Sequence, residues 1–134
     1  MKKLLLPLVV VAAAALMLAG TAHPRTAGTN GCWATVGLSS LPKPGLQAGQ
    51  PWIVTIRVLQ HGRTPLAGAK PEVRIRNRAG KLIVYKARAL ARVGSYRARV
   101  VFPAAGRWSL SVYDGFVPHC ASVHTFKSVV IVPV

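Results

Sequence analysis

The sequence predicts an all-β fold: a single antiparallel immunoglobulin-like β-sandwich of about seven strands, preceded by an N-terminal signal helix. Three observations carry that reading. Apolar residues recur at every second position in short runs; outside the leader no segment keeps the three-and-four spacing of a helix; and Gly- and Pro-rich turn chemistry falls between the runs.

The leader reads MKKLLLPLVVVAAAALMLAGTA. Lys2 and Lys3 form a basic start, Leu4 to Ala19 is apolar, and Gly20-Thr21-Ala22 supplies the small residues of a cleavage site. The run from Leu4 to Leu18 covers 15 residues and is interrupted by Pro7. A membrane span needs ~20 apolar residues, so a cleaved signal is favoured over a retained anchor. A lipid-modified leader would place a cysteine after Gly20, where Thr21 stands. No second apolar run of spanning length follows, and the expectation is a secreted or extracytoplasmic protein of the periplasm or cell envelope, not integral to the membrane after cleavage. The organisation expected is a signal peptide at 1–22, a flexible tether at 23–30 and the sandwich at 31–134.

The strands follow in order. Cys32, Ala34, Val36 and Leu38 share one face of the first. Trp52, Val54, Ile56 and Val58 repeat the period of two, with Thr55 and Arg57 opposite. Val73 and Ile75 alternate with Arg74 and Arg76. Leu82 to Tyr85 reads as a short buried run. Tyr96, Ala98, Val100 and Phe102 alternate with Arg97 and Arg99; Trp108, Leu110 and Val112 alternate with Arg107, Ser109 and Ser111. Phe126 to Val132 is β-branched and apolar. Turns fall at Pro42–Gly49, His61-Gly62, Pro65–Gly68, Arg78-Ala79-Gly80, Pro103–Gly106 and Asp114-Gly115.

Two stretches carry a family pattern: QHGRTPLAGAKPEVRI (60–75) and GSYRARVVFPAAGRWSLSV (94–112). Gly62, Pro65, Leu66, Gly68 and Ala69, then Gly94 and Tyr96, then Pro103, Gly106 and Trp108, resemble the bacterial YtkA-like and FixH-like immunoglobulin-type domains. The resemblance covers roughly residues 31–132. It implies an exported, non-catalytic domain, in some relatives linked to copper handling or oxidase assembly, and it carries over no set of metal ligands residue by residue.

In an exported chain with one pair of cysteines, a Cys32–Cys120 disulfide is the default. The alternative is a metal site in HCASVH, built on His119, Cys120 and His124. A blue-copper site adds a thioether, but Met1 and Met17 both leave with the signal. A zinc site would lack a fourth protein ligand and strand Cys32. The expectation is therefore no cofactor, with His119 and His124 solvated and His61 in a turn. One copper route stays open: cleavage after Ala22 makes His23 the N-terminus, which is similar to the terminal histidine of sandwich-fold copper-resistance proteins. A copper-binding accessory protein is thus the second functional reading.

The charge balance excludes most catalysis. General acid–base work draws on carboxylates or on a histidine oriented by one, and the chain has only Glu72 and Asp114. Asp114 is expected in an Asp-Gly turn, Glu72 exposed at a strand start, and neither a phosphate loop nor a nucleophile elbow is present. Without Lys2 and Lys3, 16 of the 18 basic residues remain against 2 acidic ones, a formal charge of +14. Polyanions are the natural partners of such a protein. Outside the cytoplasm these are anionic envelope components, lipid headgroups or acidic polymers, rather than nucleic acid, and no aromatic–basic alternation marks a base-stacking platform. Arg57, Arg97 and Arg99 are expected outward on one sheet, and Arg74, Arg76 and Arg107 on the other. Charge so dispersed predicts attraction to which each arginine adds a little. The expected function is an exported, non-catalytic binding or scaffold module acting through this basic surface on anionic envelope components or an envelope protein.

The leader makes the first testable prediction. N-terminal sequencing of exported protein should read His23-Pro24-Arg25, and salt should release it from membranes; intact Met1 recovered only in detergent would instead establish an anchor.

Overall fold

The computed structural model describes residues 32–134; the expected signal peptide, the tether and His23 lie outside the described residues. Among the described residues nine strands form two antiparallel sheets. They are β1 (Ala34–Leu38), β2 (Pro51–Gln60), β3 (Thr64–Pro65), β4 (Glu72–Asn77), β5 (Leu82–Lys86), β6 (Arg88–Ala89), β7 (Ser95–Val101), β8 (Gly106–Tyr113) and β9 (Val123–Ile131). One sheet runs β1-β2-β7-β6 with β3 hydrogen-bonded beside β2, and the other runs β5-β4-β8-β9. Seven strands have five or more residues and correspond to the seven read from the sequence; β3 and β6 are two-residue additions. Among the described residues no helix is long and apolar enough to cross a membrane.

The period of two places the core. Trp52, Val54, Ile56 and Val58 of β2 are buried, as are Tyr96, Ala98 and Val100 of β7, and they meet Val73 and Ile75 of β4 and Trp108, Leu110 and Val112 of β8 in one cluster. A strand's side chains alternate between faces, so the intervening arginines are turned outward without further cause. Phe102 and Trp108 meet edge-on at 5.8 Å between ring centroids, and the indole Nε1 donates to the Ala104 carbonyl at 3.0 Å. That bond satisfies the one polar group of a side chain that is otherwise core.

Two strands differ from expectation. Leu82 to Tyr85 is not a doubly buried run: β5 is an edge strand that pairs only with β4, and Leu82 and Val84 are exposed. An edge strand covered on one face alternates in burial even when every residue is apolar. Of the stretch Phe126 to Val132, all but Val132 belongs to β9, whose register against β8 shifts between Trp108 and Leu110; Val132 forms a separate bridge with Gln47. The shift lets Phe126 and Val129 pack on the core while Val130 is exposed.

Two close contacts lock the loops to this frame. The Tyr96 hydroxyl donates to the Leu66 carbonyl at 2.6 Å and accepts from the Ala69 amide at 3.0 Å, so a core tyrosine holds the 65–69 turn. Gly115, at φ +66°, accepts a hydrogen bond from the Lys70 amide at 3.1 Å. A Cβ there would lie 2.1 Å from the Lys70 carbonyl carbon, whereas at Gly80 (φ +91°) it would meet nothing within 4 Å.

The two glycines predict different costs. Gly80→Ala should cost about 1 kcal/mol, the left-handed backbone penalty alone. Gly115→Ala adds a backbone collision and should cost about 3 kcal/mol or more. Equal shifts in the denaturant midpoint for the two variants would refute the close approach.

Candidate functional site

The end of the fold that carries the 114–124 connection is organised by a single carboxylate. Asp114 follows β8 and is fully buried. One oxygen, Oδ1, accepts from the Phe116 amide at 3.0 Å. The other, Oδ2, accepts from the Ser122 amide at 3.1 Å and from His124 Nε2 at 2.9 Å. A carboxylate only accepts, so Nε2 carries the proton in this contact. The Asp114 amide in turn donates to the Ser122 carbonyl at 3.0 Å. Asp114 is therefore no solvated turn residue: its side chain is drawn in because three donors converge on it. His124, expected to be solvated, stands second in β9 and is oriented by this contact. Its partner lies ten residues upstream, just past the end of the neighbouring strand, a pairing that only the β8–β9 register creates.

Within the loop so pinned, Cys120 is joined to Cys32 with 5.3 Å between Cα atoms. The bridge closes a separation of 88 residues and ties the start of β1 to the β8–β9 connection. In the chain-entropy account a loop of that length is worth about 4.6 kcal/mol. Disulfides belong to oxidising compartments, which agrees with an extracytoplasmic setting. The cluster His119–Cys120–His124 is not assembled as a metal site: Cys120 is consumed by the bridge and the Nε2 of His124 by Asp114. His119 is exposed on the loop, and its ring nitrogen and the two sulfurs all lie within 4.8 Å of one another. His61 opens the three-residue turn between β2 and β3 at φ 51° and packs against Trp33 at 5.3 Å.

The arginines separate by sheet as the alternation requires. On the β2–β7 face, Arg57 Nη1 donates to the Val93 carbonyl at 2.7 Å and to Ser95 Oγ at 3.0 Å. Arg97 and Arg99 are exposed opposite Thr55 and Ile53, and Arg88 of β6 pairs beside Arg97. On the other sheet Arg74 makes an ion pair with Glu72 at 2.9 Å and lies 4.6 Å from the Tyr113 ring centroid. Glu72 is thus a half-buried partner, since the residues at 72 and 74 share a strand face, and not the free exposed carboxylate expected.

Outward residues of β4 and β8, with one residue of the turn after β4 and one of β9, form a basic hollow of about 390 Å³, lined by Arg76, Asn77, Arg78, Arg107, Ser109 and Ser128. Arg76 Nη1 is held by the Gly80 carbonyl at 2.9 Å and Arg107 Nη1 by Ser128 Oγ at 3.1 Å. Three guanidinium groups thus share one concavity with two serines. Two larger hollows, of about 530 and 560 Å³, have more apolar linings with scattered lysines and no arginine. Arg78 is not legible as a strand residue because it sits in the turn after β4, and Ser128 is not because the register shift of β9 against β8 changes which of its residues face outward. Ser109 was legible, since it alternates with Trp108 and Leu110 beside Arg107. No protein-family model matches the chain, and no curated protein gives a significant match to it.

Asp114→Asn tests the organising carboxylate. One acceptor oxygen becomes an NH₂ facing the Ser122 amide, leaving a buried donor without a partner at a cost of about 1–3 kcal/mol. The expected result is a lowered denaturant midpoint with the disulfide still formed; unchanged stability would show that the three contacts carry no weight.

Proposed function

We propose that this chain is an exported immunoglobulin-like β-sandwich that acts as a non-catalytic binding module on anionic components of the cell envelope. The observation that carries the reading is the hollow of Arg76, Arg78 and Arg107. Its lining holds no carboxylate, and both side-chain carboxylates of the protein are engaged elsewhere, Glu72 with Arg74 and Asp114 inside the 114–124 loop. Guanidinium groups are suited to phosphate and carboxylate oxygens because their planar forks donate in pairs. The sandwich assignment rests on the two sheets sharing one core. An extracytoplasmic location rests on the disulfide together with the leader. The engagement of both carboxylates supports a binding role over catalysis.

The hollow refines the expectation of dispersed charge. Attraction from +14 remains spread over the molecule, but one face concentrates three cations where a multivalent anion meets them together. Sheets in a sandwich lie about 10 Å apart, and exposed charges are screened over about 8 Å at physiological salt. Arginines on the far sheet therefore add little once the hollow faces its ligand.

Binding to phosphatidylglycerol-containing vesicles across a salt series tests this. Near an anionic surface each basic residue is worth about 1 kcal/mol, so replacing Arg76, Arg78 and Arg107 together by Gln should weaken binding by up to about a hundredfold. The charge-matched replacement of Arg88, Arg97 and Arg99 should cost only a few-fold, about 0.5–1 kcal/mol. Equal losses would return the charge to a dispersed role, and binding indifferent to salt would remove the polyanion reading altogether.

A further inference from the structure

We infer that reduction of the Cys32–Cys120 bond converts this end of the fold into a three-ligand site for a soft d¹⁰ metal ion, with the two cysteine sulfurs and the His119 imidazole as donors. The geometry that carries this is the mutual placement of the three ligand atoms, all within 4.8 Å of one another. Thiolates select Cu(I) and Zn(II) over harder ions, and imidazole suits both. In the oxidised protein the sulfurs are spent on each other, so the disulfide and the metal are mutually exclusive occupants. This inference does not depend on the basic hollow, which lies on other residues.

The redox step balances as thiol–disulfide exchange. A dithiol reductant attacks one sulfur, the S–S bond breaks, and a mixed disulfide resolves to release Cys32 and Cys120 as thiols while the reductant becomes the disulfide. Metal binding then releases the two thiol protons. Two metal–sulfur bonds of about 2.3 Å at a tetrahedral angle put the sulfurs about 3.8 Å apart, so they must separate from their bonded distance. The turn that carries Cys120 is hydrogen-bonded, its Cys120 and Ala121 amides donating to the Val117 carbonyl at 2.8 and 3.0 Å, so the separation is taken up by rotation of the cysteine side chains. Asp114 holds its two ends through the Phe116 and Ser122 amides, while Val117, Pro118 and His119 between them are exposed. His119 is adjacent to Cys120, and no hydrogen-bond network must be broken to turn its ring: the carboxylate of the loop is engaged with His124 instead. Two thiolates with Cu(I) leave a net charge of −1, which a protein of +14 accommodates. Three donors also complete a common coordination number for Cu(I), whereas Zn(II) would add a water to reach four.

The test uses exported protein in both redox states, titrated anaerobically with Cu(I) and separately with Zn(II) against a chromophoric competitor. Reduced protein should bind one ion per chain with a near-ultraviolet thiolate-to-metal absorption band, and the disulfide form should lack that band. Loss of even an outer-shell partner costs about 10–100-fold in metal affinity, so His119→Ala should lose about as much or more, while retaining a weaker dithiol site. Reduction lowers the stability of the protein, and a second measurement covers that case: the metal should raise the melting temperature of reduced wild type and not that of reduced His119→Ala. Cu(I) held more tightly than Zn(II) supports the three-donor set. Equal affinities for wild type and His119→Ala, or a reduced protein that the metal fails to stabilise, would overturn the proposal.

Discussion

A buried carboxylate in a protein with almost no carboxylates is the constraint on which this end of the structure depends. Asp114 is fully buried, in a chain with 18 basic residues and 2 acidic ones. Removing such a group from water is costly unless donors replace its hydration. The Phe116 and Ser122 amides and His124 supply them, which defines the path of the chain from β8 to β9. That path brings Gly115 against Lys70 closely enough to exclude any side chain, and it delivers Cys120 to Cys32. The covalent bridge is therefore the last link of a chain of placement that begins with an electrostatic one. A disulfide of this span restrains the unfolded chain, while Asp114 shapes the native loop; the two act on opposite sides of the folding equilibrium.

The scarcity of acid also organises the surface. Where Glu72 is available, it neutralises Arg74, and Tyr113 covers the same guanidinium, so one arginine is withdrawn from the basic face. Arg57 keeps its charge beside neutral partners, the Val93 carbonyl and the Ser95 hydroxyl, but it stands on the other sheet. Arg76 and Arg107 bind a carbonyl and a hydroxyl, which hold a guanidinium in place without cancelling its charge. The difference between neutral and ionic partners separates arginines that serve the fold from those that remain available to an anion. A guanidinium held by neutral acceptors also loses less side-chain freedom on binding, which is the physical basis for preferring the hollow over Arg97 and Arg99.

How much of this was legible follows from the range of each interaction. The alternation in β2, β4, β7 and β8 reports burial directly, because each residue's face depends only on its own parity. The core and the division of arginines between sheets were accordingly readable, and so was the disulfide, from compartment and cysteine number. Edge position was not, since Leu82 to Tyr85 looks the same in an edge strand as in a central one. The Asp114–His124 contact depends on which strands pair and in what register, and Asp-Gly is an ordinary turn signal when its side-chain partners are unknown. Arg78 and Ser128 reach the hollow only through a turn and a register shift.

The placement of His119 follows from the same hierarchy. Asp114 takes His124 inward, and the bridge fixes Cys120, so His119, just before Cys120, is left on the exposed crest of the loop beside sulfur. Had His119 been the partner of Asp114, its imidazole would be committed to the native scaffold and unavailable to a second ligand. The two histidines that flank Cys120 thus have opposite physical situations despite their similar sequence surroundings: one helps satisfy the buried charge, and the other remains a surface donor within reach of two sulfurs. A fold that spends one of its two carboxylates on orienting His124 leaves the chemistry of this loop to sulfur and to His119.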